Sequence, residues 1–422
     1  MLKWLYVLWL LSAASVAAGA EDLEFIAPAS AEGPVTQAAM RSLAVRALPV
    51  YQFPNRAQFL TNLSALQMVA GEYVAANATR QSLEEVRAGN KSPPRIDMAL
   101  LYDMYARARA ASVKSHMPFD QAFARVFRDT VTPLSDRDAF TLAEWLTTPL
   151  SVFRENLQAA LDRLRSRNRI SVAQAIDLSW TYASFEAFQS FAPLVGPLIA
   201  EDDGRRYVID SGVTVSTPDH ASISVVLVRP RAGPARLPAL LTLTTSVGPR
   251  NEAKESAAHG YAGLVAFARG SGKSAVKAQT SAKSTAAPEP YEHDGDDARA
   301  VIDWITRQPW SDGHVGMYGT GSSAFAAWCT AKRAPAALKA LAVASVAPPD
   351  GNWQRMVPYR KEFAHFAIPV LTVTGYYDER EPDSLYYFTQ QERYHTLADH
   401  TLLVGPYDRQ AMRRGPLPVL EG

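Results

Sequence analysis

Apolar residues recur through the first half of the chain at the spacing of amphipathic helices. Residues three and four apart lie on one face of a helix, so each stripe predicts a face packed into a core. Ser135 and Ser171 each begin a sequence typical of a capping box. The pattern predicts an all-helical region over residues 38–200. Its three clearest stripes are Met98, Leu101, Tyr102 and Tyr105; Phe119, Phe123, Val126 and Phe127; and Phe153, Leu157, Leu161 and Leu164.

The second half of the chain alternates between short apolar runs and helical patterns. Residues 207–210 and 221–229 predict an antiparallel strand pair around a turn. Strands that alternate with helices are typical of a mostly parallel sheet with right-handed crossovers, and function gathers at the carboxyl ends of its strands. We therefore predict an α/β fold over residues 205–422. The apolar runs that predict its buried strands are 237–245, 261–268, 338–346, 368–375 and 400–405.

Residues 292–332 carry the most informative local pattern. A helical stripe of Ala298, Val301, Ile302 and Ile305 comes first, and an apolar run at 314–318 then predicts a strand. A run of small residues, Gly-Thr-Gly-Ser-Ser, follows the strand and leads into a second helical segment at 324–332. A strand, a sharp turn of small residues and a helix form the setting in which an α/β-hydrolase mounts its nucleophile.

This stretch resembles the X-prolyl dipeptidyl peptidase and cocaine-esterase-like hydrolases, a branch of the α/β-hydrolases. Gln-Pro-Trp-Ser at 308–311, Gly-Met-Tyr-Gly at 316–319 and Trp328 match that family in register. The same register places the family's nucleophilic serine on Gly321 and the tyrosine that follows it on Ser322. The resemblance therefore implies the frame of a hydrolase site in which glycine replaces the reacting serine.

Two strand-end motifs extend the resemblance. Gly-Tyr-Tyr-Asp at 375–378 matches the family segment that ends in the triad acid, which implies that role for Asp378; a turn aspartate is the alternative. Gly-Pro-Tyr-Asp-Arg at 405–409 matches the segment that ends in the catalytic histidine, but Arg409 stands in the histidine position. Arginine stays protonated at ordinary pH and cannot act as a general base. An ion pair between Arg409 and Asp378 is the expected substitute.

Three further departures from the family predict impaired catalysis. The family's tyrosine after the third strand is absent from 244–248, and only a short connection at 347–367 stands where the family has a helical cap. We also expect no counterpart of the family's C-terminal β-sandwich, which would follow Arg409. We expect residues 205–422 to form an α/β-hydrolase domain without cap or sandwich.

Three functional hypotheses follow. The first is a serine-hydrolase-family protein, acting by family on esters, amides or X-Pro peptides, that is impaired because Gly321 and Arg409 occupy the nucleophile and base positions. The second is an active esterase or peptidase that uses Ser322 on a small acyl ester or peptide. The third is a non-catalytic binding or scaffold protein. We expect no cofactor and no metal. No histidine is placed to help Ser322: those considered are His293, His314, His365, His395 and His400.

Two other sequence features have structural and functional interpretations. Arg-Gly-Ser-Gly-Lys-Ser at 269–274 matches a turn of the hydrolase family; a phosphate-binding loop would need glycine at the position of Phe267. Cys329 is the only cysteine, which excludes an internal disulfide. A buried structural thiol is the expected role for Cys329, with a catalytic thiol as the alternative.

The N-terminus reads as a secretory signal. Lys3 precedes an apolar run, and Ala18, Gly19 and Ala20 form a small-residue cleavage site. We expect a signal peptide at 1–20, a linker at 21–37, and a periplasmic or secreted protein with no stable membrane span after cleavage; an uncleaved anchor is the alternative. A formal net charge of +1 implies no nucleic-acid partner.

Overall fold

The structure is a computed structural model that describes residues 22–88, 98–245, 249–272, 274, 291–349 and 353–408. The chain divides into two compact units, Met1–Asp203 and Gly204–Gly422. The predicted signal peptide, the sequence at 246–248 and Arg409 lie outside the described residues. Within the described part of the chain, no helix combines the length and apolar character needed to cross a bilayer.

The first unit is helical, as the periodicity predicts. Leu101, Tyr105, Phe123, Leu157 and Leu161 from the predicted stripes are fully buried in one core. Ser135 caps its helix by accepting a hydrogen bond from the Asp138 N–H at 3.1 Å. The helices are α1 (Pro34–Ala47), α2 (Arg56–Ala70), α3 (Tyr73–Ala88), α4 (Met98–Ser115), α5 (Phe119–Val131), α6 (Asp136–Leu146), α7 (Leu150–Leu164) and α8 (Val172–Arg206), with a 3₁₀ turn at Leu48–Val50.

The segment predicted to be a linker is partly ordered against the helical unit. β1 (Leu23–Glu24) pairs antiparallel with β2 (Arg169–Ile170), and Phe25 is 3% exposed in the helical core. The Pro, Ala and Ser content suggested a linker, but two paired strand residues and one buried aromatic ring tie this segment to the unit.

The second unit contains an eight-stranded sheet flanked by helices, which confirms the predicted α/β fold class. The strand order is β10-β9-β8-β7-β5-β6-β4-β3, with β3 and β4 antiparallel to their neighbours and the remaining pairs parallel. Its strands are β3 (Tyr207–Ser216), β4 (Ser222–Pro230), β5 (Leu237–Thr244), β6 (Ala262–Phe267), β7 (Ser311–Thr320), β8 (Leu338–Ala344), β9 (Val370–Gly375) and β10 (His400–Gly405).

The helices of this unit include one that the sequence did not predict. α12 (Glu381–Arg393) connects β9 to β10 and buries Tyr387, which stacks on Trp328 with ring centroids 4.2 Å apart. Pro382 in its first turn was the available signal. The other helices are α9 (Pro249–Ala258), α10 (Asp294–Thr306) and α11 (Ser322–Lys332), with 3₁₀ turns at Trp353–Arg355 and Arg360–His365.

Candidate active site

A sharp turn at Gly321 joins β7 to α11. Gly321 has φ 67° and ψ −121°, a left-handed conformation that glycine adopts most easily. Its N–H donates to the Ala344 carbonyl at 3.1 Å, and its own carbonyl accepts from the Phe325 and Ala347 N–H groups, each at 3.1 Å. These bonds fix the turn between the sheet and the first turn of α11.

The strand and the helix approach closely at Gly319. A Cβ added there would lie 2.4 Å from the carbonyl carbon of Ser323, so only glycine fits. Ser322 is the first residue of α11 and is half-buried, and Ala324 behind it is fully buried. The tip of the turn is therefore Gly321, and Ser322 lies one residue beyond it.

Asp378 lies in the turn that follows β9. Its N–H donates to the Gly375 carbonyl at 3.0 Å, and its Oδ1 accepts from the Arg380 N–H at 3.1 Å. The residue is 6% exposed, and its Oδ2 is buried without a hydrogen-bond partner among the described residues. The predicted pair with Arg409 involves a residue outside the described ranges and stays a prediction.

Strand register brings these turns to one edge of the sheet. Thr320 pairs with Ala344, Ala344 pairs with Val373, and Gly375 pairs with Gly405. The carboxyl ends of β7, β8, β9 and β10 therefore lie side by side, in that order, along one edge of the sheet. Gly321 and Asp378 lie at this shared edge, as the strand-end motifs predict.

Ser345 is a polar residue at this edge that sequence reasoning missed. It directly follows β8, is fully buried, and has φ 46°, which is uncommon for a residue other than glycine. Its N–H donates to the Val373 carbonyl at 3.2 Å, while its Oγ has no partner among the described residues. Nothing in the sequence marks a serine for a left-handed conformation, so no sequence signal was available.

Four of the described histidines lie at or before the starts of strands, whereas His293 precedes α10 on the side where Asp297 meets Arg269 after β6. His400 begins β10, with its Nε2 2.8 Å from Thr372 Oγ1 and its Nδ1 against Gln391, and burial lowers its pKa to about 4. His293 immediately precedes α10, and His314 lies near the start of β7 beside Asp312. His365 and His395 precede β9 and β10. Among the described residues, no imidazole follows the carboxyl end of a strand next to Gly321.

The turn after β6 is organised by Arg269. Its guanidinium donates to both oxygens of Asp297 at 2.7–2.8 Å and to both oxygens of Asp219 at 2.6–2.8 Å. Hydrogen bonds from Arg269 hold the pKa of Asp219 below its usual range. Burial raises the pKa of Asp297, and burial with the nearby Asp297 charge raises the pKa of Asp294 to about 7.

Gly272 and Ser274 complete this turn. A Cβ on Gly272 would lie 2.5 Å from the Phe267 ring. Ser274 Oγ accepts from the Ser224 N–H and donates to the Phe267 carbonyl, each at 2.9 Å, which links β4 to β6. These contacts give the Arg-Gly-x-Gly-x-Ser sequence a structural role.

Cys329 lies in α11 with 2% of its surface exposed, and burial raises the pKa of its thiol well above the usual range. A neutral buried thiol is a poor nucleophile, which supports the structural role over the catalytic one. The described residues hold no group of three or more His, Cys, Asp or Glu side chains suited to a metal ion.

The chemistry open to this edge follows from its side chains. A serine hydrolase needs a hydroxyl at the tip of the turn and an imidazole to accept its proton. Gly321 supplies no hydroxyl, and of the three positions that the family resemblance assigns to a triad, Asp378 alone matches the family residue. The edge keeps a carboxylate and a helix N-terminus, groups that suit recognition of a polar ligand.

Comparison with protein families agrees with the sequence resemblance. Residues 219–410 match the model of the X-Pro dipeptidyl-peptidase family, S15. The match covers the sheet from the β3–β4 turn to the end of β10. A search of curated proteins found no match.

Solved structures similar to this chain include an aminopeptidase from a marine sediment Thaumarchaeota archaeon, at 14% identity and a TM-score of 0.36, covering 48% of this chain and 49% of that one. A CocE/NonD family hydrolase from Staphylococcus aureus has 15% identity and a TM-score of 0.38, covering 51% and 49%. Acetyl xylan esterase 1 from Thermoanaerobacterium sp. has 14% identity and a TM-score of 0.40, covering 51% and 86%. The chain thus spans about half the length of the first two.

Proposed function

Because residues 219–410 match the model of the X-Pro dipeptidyl-peptidase (S15) family, we propose that this chain is a hydrolase-family protein that has lost triad chemistry. Its candidate active site binds an ester or peptide ligand without cleaving it. The family acts on such bonds, and this chain retains the frame that would receive them. A catalytically competent protein is the alternative that the experiments below are designed to detect.

One observation carries the proposal. The turn that would present the nucleophile is built around Gly321, with φ 67°, backbone hydrogen bonds on both sides and close packing at Gly319. These contacts fix Gly321 at the tip of the turn. A neighbouring residue such as Ser322 therefore cannot move into the tip. A glycine there has no atom that attacks a carbonyl carbon.

Two assays test the loss of chemistry. Purified full-length protein is expected to hydrolyse p-nitrophenyl acetate no faster than a heat-denatured sample, and to remain unlabelled by a fluorophosphonate probe. An activated serine reacts with that probe whatever the natural substrate. Labelling that disappears in Ser322→Ala would contradict the proposal and identify Ser322 as the nucleophile.

Ligand binding is tested separately from turnover. A non-hydrolysable phosphonate or amide analogue is titrated into the wild type and into Asp378→Asn, which removes the carboxylate charge at this edge and keeps the size of the side chain. Binding to the wild type alone supports a recognition site at this edge. A folded wild type that binds none of an ester and X-Pro analogue panel would favour the scaffold hypothesis.

Export is a second proposal. The Lys3-led apolar run and the Ala18–Gly19–Ala20 sequence support removal of residues 1–20. N-terminal sequencing of protein from the periplasm or medium is expected to begin at Glu21. Full-length protein in the membrane fraction would favour an uncleaved anchor.

A further inference from the structure

β10 lies at one edge of the eight-stranded sheet. Among the described strands it pairs with β9 alone, so no described strand covers its outer side. Its pairs with β9 run without interruption from His400 to Gly405. An edge strand presents a row of backbone N–H and C=O groups that can pair with a further strand. The outer side of β10 is therefore a surface to which the sheet can add one strand.

Two hydrogen bonds show which backbone groups of β10 face outwards. The Gly405 carbonyl accepts from the Tyr376 N–H at 3.0 Å, and the Asp399 carbonyl accepts from the first N–H of β9 at 2.9 Å. Backbone groups of successive residues in a strand point to alternate sides, so the odd-numbered residues of β10 face β9. The N–H and C=O groups of Leu402 and Val404 therefore point away from the sheet.

β3, at the other edge of the sheet, differs from β10 in its protection. The register of β3 with β4 shifts at a β-bulge between Asp210 and Val213, and the Gly212 N–H donates to Asp210 Oδ1 at 2.9 Å. Bulges and charged side chains keep edge strands from pairing with other chains. The register of β10 with β9 has no bulge, and the residues between His400 and Gly405 are Thr, Leu, Leu and Val. The sheet is thus protected at β3 and unprotected at β10.

Apolar side chains of α12 lie beside the unprotected edge. Phe388 makes a T-shaped contact with His400, with ring centroids 5.0 Å apart. Leu385 lies one turn earlier on the same side of α12. Leu385 and Phe388 are half-buried, whereas Tyr387, which packs into the core, is fully buried. A strand added next to β10 would therefore cover apolar surface as well as backbone groups.

We propose that β10 pairs antiparallel with β10 of a second copy of this chain, about a two-fold axis perpendicular to the sheet. The four residues between His400 and Gly405 are uncharged, so the two strands oppose each other without like-charge repulsion. Two-fold pairing uses both β10 edges at once, so assembly ends at a dimer. Pairing of β10 with β3 of another copy would instead propagate, and the bulge after Asp210 opposes it.

The dimer is expected to be weak and to leave the candidate active site accessible. One strand pair with flanking side chains of α12 covers less than the roughly 800 Å² per partner of a standard stable interface. Antiparallel pairing places the carboxyl ends of β7 to β10 of the two copies at opposite edges of the joined sheet. Dimer formation therefore does not depend on Gly321 or on turnover.

Sedimentation velocity of purified wild-type protein tests the association. Between about 1 and 100 µM, the average mass is expected to rise from that of a monomer towards about twice that value. Amide hydrogen exchange on the same samples identifies the surface. The Leu402 and Val404 N–H groups should exchange more slowly at the higher concentration, whereas the Leu403 N–H, which faces β9, should not change.

Matched variants separate edge pairing from other contacts. Leu402→Pro removes an outward N–H without breaking the pairing with β9, and should abolish dimerisation. Leu402→Ala removes the same side chain but keeps the N–H, and should retain most of it. Thr401→Lys places a charge at an exposed position of β10 and should weaken dimerisation about tenfold or more, whether or not the proline variant folds. Thr214→Lys makes the same change at an exposed position of β3 and should have no effect.

Two results would overturn this proposal. Wild-type protein that stays monomeric up to about 100 µM contradicts it directly, and this result needs no variant. A dimer that Thr401→Lys leaves intact, with unchanged exchange at Leu402 and Val404, would use another surface. Because these measurements require no substrate, their failure is distinct from failure of the proposed function.

Discussion

Two turns at the carboxyl edge of the sheet preserve family-like sequences in different ways. The turn after β6 retains its side-chain contacts, with Arg269 joining two acids and Ser274 joining two strands. The turn after β7 retains close packing at Gly319, but its tip at Gly321 carries no side chain. At this edge the contacts that support the fold are present, and Gly321 carries no hydroxyl.

The difference shows that the two turns are under different physical requirements. Arg269 offsets the charge of a fully buried Asp297 side chain, so its loss would leave an unpaired buried carboxylate. A nucleophile at position 321 adds no such contact and would occupy a strained backbone conformation. Catalytic groups commonly cost stability, so they are dispensable for folding when turnover is not required.

The largest expected effect is the loss of the Arg269 contacts. Arg269→Ala should lower the free energy of unfolding by about 3–5 kcal/mol, because it leaves the buried Asp297 carboxylate without its cation. Urea denaturation measures the change. Arg333→Ala removes a more exposed pair with Asp296 and should cost less than about 1 kcal/mol. Equal losses in the two variants would show that the Arg269 turn is not a special stabilising element.

A second prediction concerns the pH dependence of stability. Asp294 is 6% exposed, and its folded pKa of about 7 lies above the value of 3.8 for an exposed aspartate. The folded state therefore binds the Asp294 proton more tightly than the unfolded state does. Protonated Asp294 thus adds to the free energy of unfolding at low pH. That contribution is lost as pH rises from about 4 to about 7, by about 3 kcal/mol.

Asp294→Asn isolates this contribution. The amide cannot ionise, so the difference in unfolding free energy between variant and wild type should change across that pH window. Asp303→Asn changes an exposed acid on the same helix and should leave the pH profile unaltered. Parallel profiles for the wild type and Asp294→Asn would mean that Asp294 titrates normally.

A third, smaller effect is expected at the tip of the turn after β7. Gly321→Ala should cost about 1–2 kcal/mol, because a Cβ disfavours φ 67°. Gly212→Ala, an exposed strand position without positive φ, meets only Asp210 Oδ1 at 3.5 Å and should cost less. A neutral or stabilising Gly321→Ala would argue that the turn relaxes easily.

The smallest expected effect is the activity regained by rebuilding the triad. Gly321→Ser with Arg409→His restores nucleophile, base and acid in chain order, and a fluorophosphonate probe should label the new serine. Ester turnover should stay slow, since the family tyrosine after the third strand is absent and one missing oxyanion donor costs about 10²–10³ in rate. Either change alone should do nothing measurable, because the triad acts as a unit.

Two results for the double variant would contradict this prediction. Family-like turnover would show that the missing groups are dispensable. A folded double variant that is not labelled would show that the turn cannot present a serine hydroxyl in reactive form. Either result sharpens the contrast between the two turns.

Much of the fold follows from the sequence because burial imposes a regular pattern. The run at 400–405 is a strand with those bounds, and the 237–245 run forms β5 to within one residue. β7 begins at Ser311, three residues before the predicted start, because Ser311 pairs with Leu237 despite its turn-like composition. α12 was missed because its surface is largely polar and only Ser384, Tyr387 and Gln391 are buried.

The candidate site was predictable only where a motif fixes the register. Asp378 and Gly321 lie at the same sheet edge because parallel strands align their carboxyl ends. Ser345 was unpredictable, since its left-handed φ and unpaired Oγ arise from the path of the chain after β8.

The close packing at Gly319 also restricts the mutational paths open to this chain. Any substitution adds at least one carbon atom, which would lie 2.4 Å from the backbone of Ser323. Selection for a folded product alone therefore removes such variants, whatever the protein does with a substrate. A lineage can lose its reactive hydroxyl and still transmit this glycine. In such lineages a glycine at this position reflects a steric constraint on folding, and its presence does not indicate catalytic activity.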